Sequence, residues 1–331
     1  MIIGFSQLQT KIEEPLEKMK KFFCICFSST LQRTITFNSV QLEHVNRSEY
    51  YRIDASGKAV NSARILAQLE RDCVTTFCPL GINNYKDFEF LAKNDNLNLM
   101  YMKIPGNTRE CWTLLDKTKG TTTEIVVSEP VFKPTKEFKR QEKQLLQVEL
   151  PINIKENDAI LLAGSRPSVW SDEAYPLIAK TAVDAGKIFL ADYHGKDLLE
   201  TLKVCTPTII KINEEEFLST FCYKQKHSES ESESESEEQL KSLIIQKSKE
   251  LKNIIIVTRG TESTFAAKNG DFAECPIIPV KAVNTTACGD SFNAGFLYEY
   301  TYSGNFEKAL QKGTWCAARN AENECPGTIQ C

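Results

Sequence analysis

Asn284-Thr285-Thr286-Ala287-Cys288-Gly289-Asp290-Ser291-Phe292-Asn293-Ala294-Gly295 joins an extended run to a helix through a turn of small residues, and it delivers one carboxylate there. Ile277-Ile278-Pro279-Val280 and Val283 precede it, and Phe292, Phe296 and Leu297 follow at helical spacing. The turn therefore opens a helix. Amides at a helix start have no partner within the helix and sit at the positive end of its dipole, so they can hold an anion. Small side chains at 287–289 let phosphate oxygens approach the main chain. Asp290 is a poor neighbour for a resting phosphate unless its work is to take a proton. The combination suits phosphoryl transfer to a hydroxyl, with amides stabilising the transferring group and a carboxylate as base.

The segment resembles the second signature, D-T-x-G-A-G-D, of the ribokinase (PfkB) family of sugar kinases. Asn284 stands for the first Asp, Ala287 for the first Gly and Cys288 for Ala, while Gly289 and Asp290 match. A glycine-containing helix start occurs in many α/β proteins, so the rest of the chain has to carry part of the weight. Ala55-Ser56-Gly57-Lys58-Ala59-Val60-Asn61 resembles the sugar-binding G-G-K-G-x-N of the phosphosugar branch, matching at Gly57, Lys58 and Asn61. Small residues let a sugar lie against the backbone, and the Asn61 amide can both donate to and accept from hydroxyls. Lys211-Ile212-Asn213-Glu214-Glu215-Glu216 carries the family's N-x-x-E at Asn213 and Glu216. Without that context, Asn followed three residues later by Glu is a helix-capping signal.

Shorter matches keep the same order. Gly164-Ser165-Arg166-Pro167 resembles G-S-L-P, and Thr258-Arg259-Gly260 resembles the T-x-G near the nucleotide phosphates. Arg109 and Thr122-Thr123-Glu124-Ile125 resemble the branch's substrate-side strands; Asn320 and Pro326-Gly327-Thr328-Ile329 resemble its nucleotide-side end. The resemblance spans roughly residues 22–329. Its main departure is Gln32 in Ser28-Ser29-Thr30-Leu31-Gln32, where the branch's N-P-A-L-D has a sugar-contacting Asp.

Composition agrees with an α/β enzyme of one large or two average domains at 331 residues. A net charge of −4 excludes a basic field for nucleic acid or anionic membrane. No apolar run approaches the ~20 residues of a membrane span. No signal peptide is expected in Met1-Ile2-Ile3-Gly4-Phe5 and the charged residues after it, so the chain reads as cytoplasmic. Twelve scattered cysteines without a C-x-x-C pair, and only three histidines, give no zinc or Cys-His pattern. The cysteines read as small buried hydrophobes. Cys288 is the exception, since a helix start lowers a thiol's pKa and would make it oxidation-sensitive.

Residues 1–20 read as a charged leader of no clear role, ahead of a domain over 21–331. Phe22-Phe23-Cys24-Ile25-Cys26-Phe27 reads as the first core strand. From about residue 135 short apolar runs alternate with helices, the pattern of a parallel sheet covered on both faces. The alternating segments near 33–54 and 99–128 read instead as a small sheet standing off the body. Ser228 to Glu238, SESESESESEE, cannot bury a core and reads as a solvated loop or disordered insert.

The resemblance implies a ribokinase-like three-layer α/β sandwich, with a mainly parallel central sheet and a small β-sheet lid. It implies ATP-dependent phosphorylation of a sugar phosphate, of the phosphofructokinase or tagatose-6-phosphate kinase type. A nucleoside or unphosphorylated-sugar kinase, or a non-catalytic sensing relative, is the alternative. Asp290 is the implied base, with the amides of Ala287, Cys288 and Gly289 as anion hole. Gln32, Gly57, Lys58, Asn61 and Arg109 are the implied substrate residues, and Arg33 and Arg166 are expected to join Lys58 and Arg109 around a phosphate. Thr258, Gly260 and Asn320 fall on the nucleotide, and Asn213 and Glu216 on Mg²⁺. A homodimer through the lid is expected.

Overall fold

The computed structural model describes residues 18–129, 131–222 and 233–330; the leader's residues 1–17 and the insert's residues 228–232 lie outside the described residues. β1 (Phe22–Ile25) leads into β2 (Thr30–Phe37) and β3 (Tyr50–Ser56), then α1 (Lys58–Leu69), β4 (Val74–Gly81) and α2 (Tyr85–Asn94). β5 (Asn98–Ile104), β6 (Arg109–Asp116) and β7 (Thr121–Val126) follow, and then α3 (Lys136–Gln144), a wider helical turn at Leu145–Glu149, and α4 (Leu150–Glu156). Strands and helices then alternate as β8 (Ala159–Ala163), α5 (Ala174–Asp184), β9 (Ile188–Asp192), α6 (Gly195–Leu202), β10 (Ile209–Asn213) and α7 (Glu214–Phe221). The remainder is α8 (Glu233–Leu251), β11 (Ile254–Arg259), β12 (Glu262–Lys268), β13 (Asp271–Cys275), α9 (Cys288–Ser303) and α10 (Phe306–Ala321).

Nine strands form one sheet in the order β13-β12-β11-β10-β9-β8-β1-β4-β5, parallel from β11 to β5 and closed by an antiparallel pair. Strand alternation makes it three-layered. Phe22, Cys24 and Cys26 face the layer of α1, α2, α9 and α10. Phe23, Ile25 and Phe27 face the layer that α3 to α8 supply. Cys24, Cys26, Cys73, Cys78, Cys111, Cys275 and Cys316 are buried with free thiols, as small hydrophobes should be. The order jumps at β1, whose neighbours are β8 and β4. Such a switch opens a crevice beyond the strands' carboxyl ends, where open α/β sheets bind ligands.

The second sheet, β3-β2-β6-β7, pairs β2 with β6 in parallel and both hairpins antiparallel. It corresponds to the expected lid with one correction. Residues 98–104 are not part of it, because β5 pairs with β4 at the edge of the main sheet. An edge strand has one unpaired flank and a half-exposed face, so its pattern imitates that of a small sheet. The acidic insert also differs from expectation at its end, since residues from Glu233 onward belong to α8. Leu240 and Ile244 anchor that helix in the core.

α9, which carries the decisive turn, lies close against α10. A Cβ on Gly295 would stand 2.6 Å from the Lys312 carbonyl oxygen, and one on Gly313 3.0 Å from that of Phe292. Glycine at both crossings lets the backbones approach.

Candidate active site

Asp290 sits in the first turn of α9 and is 7% exposed. Asn61 Nδ2 donates to its Oδ2 at 2.8 Å, and the Ser62 hydroxyl donates to its backbone carbonyl at 2.8 Å. Two motifs 229 residues apart thus share one hydrogen bond. Burial raises the Asp290 carboxyl to about 6, and the Asp192 carboxylate adds to this; the Asn61 bond and the Lys58 and Lys211 ammoniums oppose it. A carboxyl poised there is ionised at neutral pH yet basic enough to take a proton.

Behind it is a charge network that sequence reading missed. Asp192, at the end of β9, is wholly buried. Lys58 Nζ lies 3.1 Å from its Oδ1, Lys211 Nζ 3.6 Å from its Oδ2, and Asn293 Nδ2 donates to Oδ2 at 2.6 Å. Burial pushes the Asp192 carboxyl up, but Lys211, Lys58 and the Asn293 bond outweigh it and hold it at about 2. Asp192 and Asp290 therefore have opposite perturbations, one a fixed charge and the other a titrating base. A Cβ on Gly289 would meet Lys211 Nζ at 2.9 Å, so the buried lysine lies directly against the turn. The available signal was a lysine in Ile209-Ile210-Lys211-Ile212, an otherwise apolar strand.

The turn itself is under backbone strain. Ala287 takes φ 65° and ψ 12°, the left-handed region that glycine favours and where the resembling motif has glycine. Of the three expected anion-hole amides, that of Cys288 donates to the Thr285 carbonyl at 3.3 Å. Asn284 is well chosen, because its Nδ2 donates to Glu324 O at 2.9 Å while its Oδ1 accepts from Thr286 N. An aspartate could supply only the second bond. Asn320 is buried: it donates to Thr286 O at 2.8 Å, and its Oδ1 accepts from Gly327 N at 2.6 Å. Its side chain therefore braces the turn from below. Cys288 departs from expectation, since burial raises its thiol pKa and the Asn320 contact only partly offsets this.

Where the substrate is expected, Gly57 caps α1 with φ 127°, and a Cβ there would lie 2.6 Å from Cys26 Sγ. Only glycine fits. Lys58 Nζ also lies 3.4 Å from Glu216 Oε1, and its side chain is 39% exposed. Gln32 is buried in the lid, where its Nε2 donates to Thr113 Oγ1 at 2.6 Å. Asp54 is its cross-strand neighbour. Thr286 Oγ1 donates to Glu124 Oε1 at 3.1 Å, which ties the lid strand β7 to the α9 turn.

The expected arginine cluster does not assemble. Arg33 alternates out of the Gln32 face and pairs with Glu110 at 2.7 Å. Arg166 is committed to Asp172, Asp197 and the Trp170 carbonyl at 2.6, 2.9 and 2.7 Å. Arg109 alone among these three reaches the crevice. Its Nε donates to Thr30 Oγ1 at 2.7 Å, and its Nη1 lies 3.0 Å from Glu129 Oε1.

Where the nucleotide is expected, Asn213 and Thr258 are paired neighbours at the ends of β10 and β11, and Gly260 turns the chain beyond with φ 63°. Asn213 and Glu216 form a capping box: Asn213 Oδ1 accepts from Glu216 N at 2.8 Å, and Glu216 Oε2 from Asn213 N at 3.0 Å. Glu216 Oε1 remains, facing Lys58 and His194 Nε2 at 3.7 Å. Among the described residues no group of three His, Cys, Asp or Glu could hold a metal directly. The capping box leaves one carboxylate oxygen, Glu216 Oε1, which a cation could meet only through its own waters.

Residues 21–330 match the model of the pfkB family carbohydrate kinases. The chain belongs to this family. A tagatose-6-phosphate kinase of Staphylococcus epidermidis is 28% identical over 292 residues, covering 87% of this chain and 88% of that one. Among solved structures, phosphofructokinase-2 from Escherichia coli with substrates and products superposes with a TM-score of 0.77 at 16% identity, over 92% and 94% of the two chains. A possible 1-phosphofructokinase from Thermotoga maritima gives 0.77 at 14% identity, over 92% and 93%. These two likenesses speak to the fold. In this pfkB carbohydrate kinase Gly289 and Asp290 stand at the start of α9, and Asp290 is joined in space to the Gly57-Lys58-Asn61 turn.

Proposed function

We propose that this pfkB kinase transfers the γ-phosphoryl group of ATP to a hydroxyl of a sugar phosphate, of the tagatose 6-phosphate or fructose phosphate class. The observation that carries the reading is Asp290, raised to about 6 at the start of α9 and hydrogen-bonded to Asn61. A sugar hydroxyl held by Asn61 and the Gly57 turn would give its proton to Asp290 as its oxygen attacks phosphorus. The Ala287 and Gly289 amides and the Lys211 ammonium would stabilise the equatorial oxygens, as positioning and electrostatics do in phosphoryl transfer. Bound Mg²⁺ would neutralise the ATP phosphates, held through water near Glu216 Oε1. Thr258 and Gly260 would border the nucleotide phosphates. Gln32 would hydrogen-bond the sugar, and Arg109 its phosphate.

The outward lid face, with Ile35, Trp112, Leu114 and Ile125 half-buried to exposed, would pair two copies into a homodimer. No described helix is long and apolar enough to cross a membrane, and a cytoplasmic site of action accords with the ATP-dependent reading. An unphosphorylated sugar is the second reading, favoured by the commitment of Arg33 and Arg166 to other carboxylates. ADP release from Mg·ATP across tagatose 6-phosphate, fructose 6-phosphate, fructose 1-phosphate, fructose, ribose and adenosine decides between them. Turnover confined to phosphosugars supports the first; turnover only with unphosphorylated acceptors replaces it.

A further inference from the structure

Glu129 follows β7 and reaches back across the crevice to the carboxyl ends of β1 and β8. Its Oε1 accepts from Ser28 Oγ at 2.7 Å and pairs with Arg109 Nη1 at 3.0 Å. Ser165 Oγ donates to Ser28 Oγ at 3.4 Å, so a second hydroxyl stands behind the first. One carboxylate oxygen thus takes a guanidinium and a hydroxyl, the donors that bind phosphate. The cluster borders the sugar turn. A Cβ on Gly164 would lie 3.8 Å from both Lys58 Cβ and Ser28 Cβ, and one on Gly57 3.0 Å from Ser28 O.

The surroundings do not explain the pair as ordinary surface decoration. Arg109 and Glu129 are only 20% and 23% exposed, and burial raises the Glu129 carboxyl despite its partners. A space of about 540 Å³ opens beside Arg109, lined also by Thr108, Ser128 and Phe132. A smaller one, about 10 Å³, lies between Arg109, Glu129 and Trp170, whose buried Nε1 has no hydrogen-bond partner.

We propose that Glu129 is an internal stand-in for the substrate's phosphate group: it occupies the Arg109–Ser28 receptor and has to leave when a phosphosugar binds. The inference rests on the sugar-phosphate reading above and adds a residue that sets its affinity. Displacement needs only that the Glu129 side chain turn away from Arg109 and Ser28, with no covalent bond made or broken. The apparent affinity is then reduced by the fraction of molecules in which the receptor is free. An unphosphorylated sugar, which never competes for Arg109, escapes that cost.

The test compares wild type, Glu129→Gln and Glu129→Ala, and each again with Arg109→Ala, by calorimetric titration with tagatose 6-phosphate, fructose 6-phosphate, fructose and inorganic phosphate. Both Glu129 variants should bind the phosphosugar that wild type uses, and inorganic phosphate, about three- to thirtyfold more tightly. Binding of fructose should be unchanged, and the gain should vanish in the Arg109→Ala background. Unchanged or weaker phosphosugar binding by a folded Glu129→Gln protein overturns the proposal, weaker binding meaning that Glu129 positions Arg109 instead. If wild type turns over phosphosugars all the same, the substrate reading survives that failure. If neither wild type nor variant binds a phosphosugar, the substrate reading falls, and this proposal with it.

Discussion

Replacing Asp290 by Asn should separate catalysis from stability in opposite directions. The amide keeps an oxygen for Asn61 Nδ2 but cannot accept the hydroxyl proton. Loss of a positioned base costs about 10²- to 10⁴-fold, and that is the expected fall in kcat, with nucleotide affinity little changed. In wild type the group must be ionised, so kcat/KM should fall as pH drops through about 6, with a slope of one proton. The sign for stability is the reverse of the usual carboxylate. Folding raises the carboxyl from an ordinary value near 3.9 to about 6, so the folded state binds more protons in that window and loses stability as pH rises through it. The span of about two units corresponds to about 3 kcal/mol of destabilisation at neutral pH, an upper value because Asp192 and both lysines are coupled to it. Asp290→Asn should therefore melt several degrees higher than wild type at pH 7.5, with the gain disappearing towards pH 4. Coupled ADP-release kinetics and thermal unfolding at both pH values make the measurement. A kcat within tenfold of wild type would refute the base, and a lower melting point at pH 7.5 would refute the cost of burying the charge.

Ala287→Gly relieves the left-handed strain at the turn and should stabilise the fold by about 1 kcal/mol in urea unfolding; no gain would mean the turn relaxes around alanine. Arg166→Ala should lower the melting temperature by leaving Asp197 and the Trp170 carbonyl without their partner, Asp172 keeping Lys196, while KM for the sugar stays within twofold; a large KM effect would return Arg166 to the substrate. Trp112→Glu on the outward lid face should turn a dimer into a monomer in light scattering, and a monomeric wild type would end that reading.

The same chemistry explains why the turn departs from the signature it resembles. Asn284 spends an amide hydrogen on Glu324 O, a bond the signature's Asp lacks the proton to make. Ala287, in contrast, has a methyl that can make no hydrogen bond to offset its φ of 65°. Asn213 and Glu216 form the capping box, which occupies Glu216 Oε2 and leaves Oε1 aimed at Lys58.

Local chemistry alone determined the layers and the turn that opens α9. Alternation along Phe22–Phe27 sends successive side chains to two different cores, and this period of two is legible without a structure. Small residues before Asp290 and helical spacing after it specify a helix start and its carboxylate. The edge strand at 98–104 was misread because one-sided pairing produces the same half-buried pattern in either sheet. Tertiary structure decided the charges. Lys58 finds Asp192 across 134 residues and Arg109 finds Glu129, while Arg33 and Arg166 turn to carboxylates elsewhere. A spacing rule reports which face a side chain occupies; a charged group's state depends on what faces it from other strands and on how much water is left between them.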